Sequence, residues 1–338
     1  MNMMRPILTA KELAIGYGKT EKGCILRGLN FDIYPGDMIC LMGHNGCGKT
    51  TLLRTISRLT SPIHGQIKIR DRNIFEYGSN EFAGLLSVVL TDKIDMINMS
   101  VFEVVALGRY PHTNMWGKLT RTDKKIIMDS LEILGIVDLA GNQMEELSDG
   151  QRQKVFVARS LAQDTPILLL DEPTTYLDLP GKLEILRLLG KIVREKKVAV
   201  LFSSHDWQLV LEMVGWIWLV GGDNKLRVGV PEDLILSGDF ENCFRHDKFI
   251  FNRQTALFQE RKEQMNHVCL CGNDEDGIIW TGHALKKENF MIDEMHKNDS
   301  PLIYVNSSKQ GCVWILKKNG AEKTLNSIED LLVNLKTR

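Results

Sequence analysis

The stretch GHNGCGKT, Gly43–Thr50, constrains the fold most strongly, because it lies between a short apolar run and a helical pattern. It fits the pattern G-x-x-x-x-G-K-[ST] of a phosphate-binding loop. In such a loop, glycines let backbone N–H groups wrap a polyphosphate, and the helix N-terminus adds partial positive charge. Lys49 is expected to reach the β- and γ-phosphates, and the Thr50 hydroxyl is expected to bind Mg²⁺. Strand, turn and helix in this order favour a nucleotide site over a chance match.

Up to about residue 250, short apolar runs alternate with helical patterns, which is typical of an α/β layered domain. The predicted buried strands are Met38–Gly43, Leu85–Leu90, Pro166–Asp171 and Val198–His205. Their near-continuous Val, Leu and Ile residues suit a parallel sheet that is covered on both faces. Between the second and third strands, TRTDKKIIMDSLEILG predicts a helix with a Thr120-x-x-Asp123 cap and an end at Gly135. We expect a helical subdomain there, at about residues 92–162.

Two acidic residues, Asp171 and Glu172, end the predicted strand PILLLDEP. Two carboxylates at the tip of a buried strand are costly unless a cation meets them, and Mg²⁺ at the phosphates would be the natural partner of Asp171. Glu172 is then placed to act as general base on the attacking water. The alternative is that both acids only cap the next helix, and the phosphate loop weakens it. Together the two motifs predict a nucleoside triphosphatase.

Composition and charge exclude several other classes of protein. The chain has 338 residues and a formal net charge of −1, which gives no reason to expect non-specific binding of nucleic acid. Seven scattered cysteines do not indicate a disulfide framework in a chain of this length. No apolar run approaches the roughly 20 residues of a membrane span, and the first residues show no secretory signal. We therefore expect a soluble, cytoplasmic chain that would serve a membrane only by docking to another protein.

The pattern changes near NRQTALFQERKEQ, and residues Lys262–Arg338 are predicted to form a small α+β domain. Short strands are expected at HVCLCG, PLIYVN and CVWILK, followed by a final helix. The apolar face of that helix comprises Ile328, Leu331, Leu332 and Leu335. His267, Cys269 and Cys271 alternate on the first strand, which would suit a metal site, although core packing explains them equally well. A regulatory or interaction module is the simpler interpretation.

The heptad LSDGQRQ, Leu147–Gln153, precedes the acidic strand by the length of one helix. A serine, an acid and a glycine would make a good helix start in any protein, and that interpretation would prevail if the heptad stood alone. With the phosphate loop before it and the acidic strand after it, most of the first 250 residues resembles the ATP-binding subunits of ABC transporters. We therefore expect an α/β P-loop NTPase fold of the ABC type at residues 1–255, followed by the small α+β domain at 262–338.

The resemblance implies roles for several short motifs. LSDGQRQ resembles the family's signature motif, commonly LSGGQ, with Asp149 in place of the first glycine. TTYLD resembles the D-loop, whose acid would be Asp178, and SSHD places His205 at the switch-histidine position. The implied nucleotide-binding residues are Tyr17, where an aromatic ring would stack on adenine, and Gly43, Asn45, Gly46, Gly48, Lys49, Thr50, Thr51, Ser148, Gly150, Gln151 and Asp178. The implied catalytic residues are Glu172, His205 and Lys49, and the implied Mg²⁺ ligands are Thr50 and Asp171.

The resemblance also implies a mechanism in which two copies of the chain close head-to-tail around ATP. Ser148 and Gly150 of one copy would complete the site at the phosphate loop of the other. His205 would contact the γ-phosphate and hold the attack geometry with Glu172. Closure on ATP and reopening after hydrolysis would drive integral-membrane permease subunits at the cytoplasmic face of the membrane. A periplasmic or surface substrate-binding protein would be an indirect partner.

A separate ATP-binding chain, without fused transmembrane helices, points to an importer. The segment SVFEVVALGRYPHT, Ser100–Thr113, resembles the subfamily that moves iron–siderophores, haem and cobalamin, and these three cargoes stay open. The plain alternative for Gly108–His112 is a helix stop. A soluble ABC-type ATPase in translation or DNA repair is the competing function, although the chain has one phosphate loop and no extended heptads. A small-molecule kinase would share the phosphate loop but would not need the signature motif.

One position departs from the family's pattern. The strand SVVL leads into Thr91 and Asp92, where the family begins the Q-loop with a glutamine whose side chain approaches Mg²⁺ and the attacking water. Thr91 would reach the metal only through water or a shifted backbone. Asp92 would supply an oxygen if the loop slid by one residue, but it would add negative charge beside two carboxylates. The hypothesis is that Thr91, helped by Asp92, couples nucleotide state to the helical subdomain without direct metal ligation.

Overall fold

The computed structural model describes residues 5–18, 23–90, 98–114, 116–245, 248–253, 255–260, 266–293, 300–308 and 311–336. The chain divides into two compact units. The first consists of Met1–His246 with Ile250–Phe258, and the second of Asp247–Phe249 with Gln259–Arg338.

The first unit contains two sheets and the helices that connect their strands. Its strands are β1 (Leu8–Gly16), β2 (Cys24–Ile33), β3 (Met38–Gly43), β4 (His64–Ile69), β5 (Arg72–Asn73), β6 (Leu86–Val89), β7 (Ile167–Leu170), β8 (Ala199–Ser203), β9 (Trp216–Val220) and β10 (Leu226–Gly229). Its helices are α1 (Lys49–Ile56), α2 (Ser79–Ala83), α3 (Val101–Ala106), α4 (Arg121–Ile133), α5 (Asp149–Ala162), α6 (Leu179–Lys196), α7 (Trp207–Met213), α8 (Pro231–Leu236) and α9 (Asp239–Cys243). Short 3-10 helices lie at Ile74–Glu76, Leu107–His112, Val137–Leu139 and Met144–Glu146. After α9, β11 (Phe249–Asn252) pairs with β12 (Leu257–Glu260), and these two strands are called the ribbon below.

The central sheet has the strand order β10-β9-β3-β8-β7-β6 among the described residues. β3 runs parallel to β8 and β9, and β7 runs parallel to β8 and β6, whereas β10 is antiparallel to β9. The predicted parallel α/β fold is confirmed, although three of the four predicted strands are shorter than expected at one or both ends. Because the strands are parallel, the carboxyl ends of β3, β8, β7 and β6 meet at one edge of the sheet, where ligands of open α/β folds bind.

Both faces of the central sheet are covered, as the apolar strands predicted. Ile39 and Leu41 face the core that contains the second sheet and α1, whereas Cys40 and Met42 face the core that contains α3–α6. The second sheet is antiparallel, with the order β2-β1-β4-β5. The sequence did not predict it, because register shifts interrupt β1 and break the alternation of apolar and polar residues.

The helical region confirms the predicted cap of α4. The Thr120 hydroxyl accepts a hydrogen bond from the Asp123 N–H, and the Asp123 carboxylate accepts one from the Thr120 N–H, which forms a capping box. Arg109 and Asp123 form a buried ion pair of 2.9 Å, and a second Arg109 nitrogen donates to the Ala162 carbonyl. At Gly108, a Cβ would lie 2.1 Å from the Arg159 carbonyl oxygen. The Gly-Arg-x-Pro-His segment, which follows α3, therefore packs against α4 and α5 and has a structural role.

The second unit is a five-stranded sheet with two helices in its described part. Its elements are β13 (Asn266–Gly272), α10 (Glu275–Lys287), β14 (Phe290–Asp293), β15 (Leu302–Ser308), β16 (Gly311–Lys318), β17 (Ala321–Leu325) and α11 (Ile328–Lys336). The strand order is β14-β13-β15-β16-β17, and β13 is parallel to both of its neighbours. The expected final helix is confirmed, and it buries Leu331 and Leu335.

The sequence did not predict α10, because Gly277 and Gly282 look like helix breakers. Both glycines are buried against the sheet, and a Cβ at Gly277 would lie 2.6 Å from a methyl carbon of Val305. The alternating His267, Cys269 and Cys271 all lie on β13. His267 pairs with Asp293 at 2.9 Å, Cys269 is buried, and no group of three His, Cys, Asp or Glu side chains lies together in the described ranges.

Replacing Arg109 should destabilise the first unit far more than replacing a partly exposed cation. Arg109→Met would leave the buried Asp123 carboxylate without its cation, so we expect a loss of about 3 kcal/mol in the free energy of unfolding. Lys154→Met, which breaks the 2.7 Å pair with Glu184, should cost less than about 1 kcal/mol. Urea denaturation at pH 7 measures both values.

The pH dependence of the same pair has a defined sign. Hydrogen bonding from Thr120, and then from Arg109, lowers the pKa of Asp123 to about 2. The contribution of the ionised Asp123 carboxylate to the free energy of unfolding is therefore fully present above its unfolded pKa of about 3.9. It is lost as the pH falls through the folded pKa of about 2. Equal losses for Arg109→Met and Lys154→Met at pH 7 would contradict the structural role of Arg109.

Candidate active site

The phosphate loop connects β3 to α1 at the carboxyl edge of the central sheet. Gly43, Gly46 and Gly48 all have positive φ angles, and a Cβ at Gly43 would lie 2.7 Å from the Val220 carbonyl oxygen. Gly48 is the N-cap of α1 and supplies no side-chain cap, so the first N–H groups of the helix are left for a ligand. This backbone geometry fits a bound phosphate, because it aims donors and the positive helix end at the loop.

Lys49 is folded back into the loop. Its ammonium nitrogen donates to the Gly43 carbonyl at 2.9 Å and to the His44 carbonyl at 3.3 Å. The side chain is nearly buried, so these two carbonyls replace the water that a free ammonium group would bind. Phosphate oxygens arriving in the loop would offer the same donor a charged acceptor, which makes the stronger hydrogen bond.

Cys47, between the glycines of the loop, is a packing residue. Its side chain is buried in the core below α1. Burial raises the pKa of the Cys47 thiol, and the neighbouring Lys49 offsets this only in part. The thiol therefore stays neutral at pH 7 and is not a nucleophile.

Asp171 and Glu172 lie directly after β7, and Ser203 at the end of the neighbouring β8 contacts both. The Ser203 hydroxyl donates to the Asp171 carboxylate at 2.6 Å and accepts from the Glu172 N–H at 2.8 Å. Glu172 has a φ of 52°, which is unfavourable for a residue other than glycine. The hydrogen bond from its N–H to Ser203 therefore helps to hold a strained backbone beside the buried Asp171 carboxylate.

Ser203 was not predicted from the sequence. The available signal was a hydroxyl residue at the end of an otherwise apolar strand, VAVLFS, which the parallel order places next to the acidic strand. Sequence alone does not reveal that β8 lies between β3 and β7.

The structure brings Glu172 and His205 together. The His205 Nδ1 lies 2.6 Å from the Glu172 Oε2, and the Thr175 hydroxyl donates to the same oxygen at 3.1 Å. The His205 side chain is 54% exposed and the Glu172 side chain 20% exposed. The carboxylate is thus oriented by two partners and remains accessible to a water molecule.

The signature segment and the D-loop acid form local helix caps in the single chain. The Ser148 hydroxyl accepts from the Gln151 N–H, and the Gln151 side chain accepts from the Ser148 N–H, which completes a capping box at the start of α5. Gly150 approaches Leu177, because a Cβ there would lie 3.4 Å from its methyl group. Asp178 caps α6 by accepting from the Gly181 N–H at 3.0 Å. The hydrogen bonds described for these residues do not extend to the phosphate loop.

Tyr17 lies near the start of α1. Its hydroxyl accepts a hydrogen bond from the Thr51 hydroxyl at 3.4 Å, and its side chain is 71% exposed. An exposed ring at this place is available for stacking on a base. Within the phosphate loop, Asn45, Gly46 and Thr50 are exposed as well. Thr91 and Asp92 lie outside the described residues, so the hypothesis about the missing glutamine stays a prediction.

The donor set fits a magnesium ion. The Thr50 hydroxyl follows β3 and the Asp171 carboxylate follows β7, and hydroxyl and carboxylate oxygens are ligands that Mg²⁺ accepts. Asp171 is buried at the sheet edge, where a carboxylate requires partners.

Family models match both units of the chain. A model described as "ABC transporter" matches residues 26–175, and one described as "Iron ABC transporter C-terminal domain" matches residues 265–336.

Three curated relatives match between 59% and 70% of the chain. An uncharacterized ABC transporter ATP-binding protein of Methanocaldococcus jannaschii is 37% identical over 229 residues, which cover 68% of this chain and 78% of the relative. The ferric enterobactin transport ATP-binding protein FepC of Escherichia coli is 32% identical over 70% of this chain and 86% of its own length. The iron(3+)-hydroxamate import ATP-binding protein FhuC of Bacillus subtilis is 39% identical over 59% of this chain and 73% of its own length.

Solved structures share the fold. A chain of an ABC transporter in an inward-facing conformation has a TM-score of 0.63 and 26% identity, covering 77% of this chain and 99% of that one. An ATP-binding cassette in a dimeric, post-hydrolysis state with bound ADP and Pi has a TM-score of 0.54 and 25% identity. That match covers 62% of this chain and 93% of the other.

Removing the Ser203 hydroxyl should destabilise the fold more than removing the hydroxyl of another buried serine, Ser160, does. Ser203→Ala removes the hydrogen bonds that this hydroxyl makes with the buried Asp171 carboxylate and the Glu172 N–H, so we expect a loss of about 1–3 kcal/mol in the free energy of unfolding. Ser160→Ala removes a buried hydroxyl that only donates to a helical carbonyl, that of Val157. This control should change stability by less than about 1 kcal/mol. Chemical denaturation compares the two, and similar losses would contradict the bridging role of Ser203.

Proposed function

The chain belongs to the family of ATP-binding proteins of ABC transporters, and from this premise we propose that it is the ATP-hydrolysing subunit of an importer for an iron–siderophore. One observation carries the proposal for the reaction: the Glu172 carboxylate lies between His205 and Thr175 at the sheet edge that also carries the phosphate loop. The iron-related C-terminal model is consistent with an iron–siderophore as cargo, and the relatives named for ferric enterobactin and iron(3+)-hydroxamate favour it over haem or cobalamin.

In the proposed reaction, the N–H groups of the phosphate loop and the start of α1 bind the phosphate oxygens of ATP. Lys49 exchanges its bonds to Gly43 and His44 for bonds to the β- and γ-phosphates. Thr50 and Asp171 would hold Mg²⁺, which neutralises charge on the phosphates when bound. Ser203 keeps the Asp171 carboxylate oriented from behind.

Glu172 and His205 act on the attacking water. The Glu172 carboxylate accepts the proton of the water as the water oxygen bonds to the γ-phosphorus, and the bond from that phosphorus to the bridging oxygen breaks, so that ADP leaves. His205, which pairs with one oxygen of this carboxylate at 2.6 Å, orients it and contacts the γ-phosphate. The exposed Tyr17 ring stacks on adenine.

The proposed assembly is a head-to-tail homodimer on a permease. Ser148 and Gly150 at the exposed start of α5 would face the γ-phosphate bound by the other copy, in the manner of other anion sites at helix N-termini. In the described ranges, no helix has the length and apolar character of a membrane span. Because its relatives are named as transport and import ATP-binding proteins, the chain would bind integral-membrane subunits from the cytoplasmic face. Tyr110 and Trp116 of the helical region, 74% and 91% exposed, are candidates for that contact.

We propose that residues 1–255 form the ATP-binding domain, with a helical subdomain at about 92–162, and that residues 262–338 form a small α+β domain with a regulatory or interaction role. A soluble ATPase unconnected with transport is the second candidate function. Permease-stimulated hydrolysis in reconstituted vesicles would favour the importer, whereas full activity without a permease and no response to one would favour the alternative.

Glu172→Gln should separate ATP binding from turnover. The amide cannot accept the proton of the attacking water but keeps the shape of the side chain, so we expect ATP hydrolysis to fall by at least about a hundredfold. The dissociation constant for ATP should change by less than about threefold. The control Glu184→Gln, at a partly exposed glutamate that pairs with Lys154, should leave both values unchanged. Normal turnover in Glu172→Gln would remove Glu172 as the base.

A further inference from the structure

The turn that carries His205 is held by hydrogen bonds of its own backbone. The Ser204 N–H donates to the Leu41 carbonyl of β3 at 3.2 Å, and the Asp206 N–H donates to the Ser204 hydroxyl at 3.1 Å. The Trp207 N–H donates to the His205 carbonyl at 3.0 Å. These bonds fix the start of the turn against the sheet.

The far end of the turn has two side-chain anchors. Asp206 pairs with Lys182 of α6 at 2.9 Å, and both side chains are mostly buried. Lys182 lies one turn after Asp178, the N-cap of α6. The first anchor therefore connects the switch-histidine turn to the helix that starts at the D-loop acid.

The second anchor is the indole ring of Trp207. It meets three phenylalanine rings edge-on, with centroid distances of 6.4 Å to Phe240, 6.0 Å to Phe251 and 5.5 Å to Phe258. Phe251 and Phe258 also pack on each other at 5.1 Å. Interlocked rings of this kind fix orientation as well as burying apolar area.

Phe251 and Phe258 belong to the ribbon, which lies between the two stretches that the family models match. We propose that these two phenylalanines are positioning residues for ATP hydrolysis, because through Trp207 they hold the turn that keeps His205 against Glu172. The proposal rests on the roles proposed above for His205 and Glu172. Phe251 and Phe258, which both belong to the first unit, would thus support the catalytic site.

The size of the expected effect follows from the geometry of the site. His205 contacts Glu172 through one ring nitrogen at 2.6 Å, and a misplacement of about 1 Å at a reacting centre can cost on the order of a hundredfold in rate. Phe258→Leu removes the ring nearest to Trp207 and keeps an apolar side chain. We therefore expect it to lower the rate of hydrolysis by less than this hundredfold. Since the phosphate loop and Tyr17 are not involved, ATP binding should be preserved.

The test is a double-mutant cycle in the full chain, with kcat and KM for ATP hydrolysis as readouts. Phe258→Leu should lower kcat about tenfold and change KM by less than about twofold. In the His205→Ala background, the same substitution should have less than a twofold further effect, because a residue that acts through His205 has nothing left to position. Phe258→Tyr, which keeps the ring, should retain at least about half of the wild-type kcat.

A matched control separates positioning from loss of stability. Phe31→Leu removes a buried ring that packs on Trp218 at 4.3 Å, in the other core of the first unit. It should lower the melting temperature as Phe258→Leu does but leave kcat unchanged. Amide exchange at residues 204–210, measured without nucleotide, should be faster in Phe258→Leu than in Phe31→Leu.

Three results would overturn the proposal: an unchanged kcat in Phe258→Leu, losses that multiply with those of His205→Ala, or equal exchange in Phe258→Leu and Phe31→Leu. If the unmodified chain fails to hydrolyse ATP, the proposed function fails instead. The exchange comparison then still decides whether the ribbon holds the turn.

Discussion

The parallel pairing of β3, β8 and β7 is the constraint on which the rest of the site depends. It places the phosphate loop, the Ser203–His205 segment and the two acidic residues at one edge of the sheet. The Ser203 hydroxyl then connects the end of β8 to the acidic end of β7, because it contacts both the Asp171 carboxylate and the Glu172 N–H. A shift of β8 by one residue would turn this hydroxyl to the opposite face of the sheet and separate His205 from Glu172.

The residues with the strongest local signals were predictable from the sequence. The phosphate loop has three positive-φ glycines in a fixed spacing, and the Thr120 cap and the buried strands follow equally local rules. The features that were not predicted depend on packing between segments that are distant in the sequence. The antiparallel sheet has bulges that hide its period, α10 contains glycines that its close approach to the sheet requires, and Ser203 and Trp207 acquire partners only when the fold is complete. The hypothesis that Thr91 takes the place of the family's glutamine concerns a residue outside the described ranges, so it stays a prediction.

Several residues carry a structural role in one chain and a proposed second role in a pair of chains. Ser148 and Gln151 cap α5, and Asp178 caps α6, so each is explained by helix capping alone. The same capping keeps the start of α5 exposed and in one conformation. A helix start held in this way is prepared to meet a phosphate from another molecule without further ordering. The two roles are therefore compatible, and only an experiment with two copies separates them.

Sedimentation velocity of the Glu172→Gln variant with Mg²⁺ and ATP tests the central claim most directly, because the claim is that ATP is held between two copies. The account predicts a monomer without nucleotide and a dimer with ATP. It also predicts that adding Ser148→Arg returns the chain to a monomer while ATP still binds, since the bulky cation blocks closure at the start of α5. A chain that remains monomeric with ATP bound, or a dimer that Ser148→Arg leaves intact, would contradict the account.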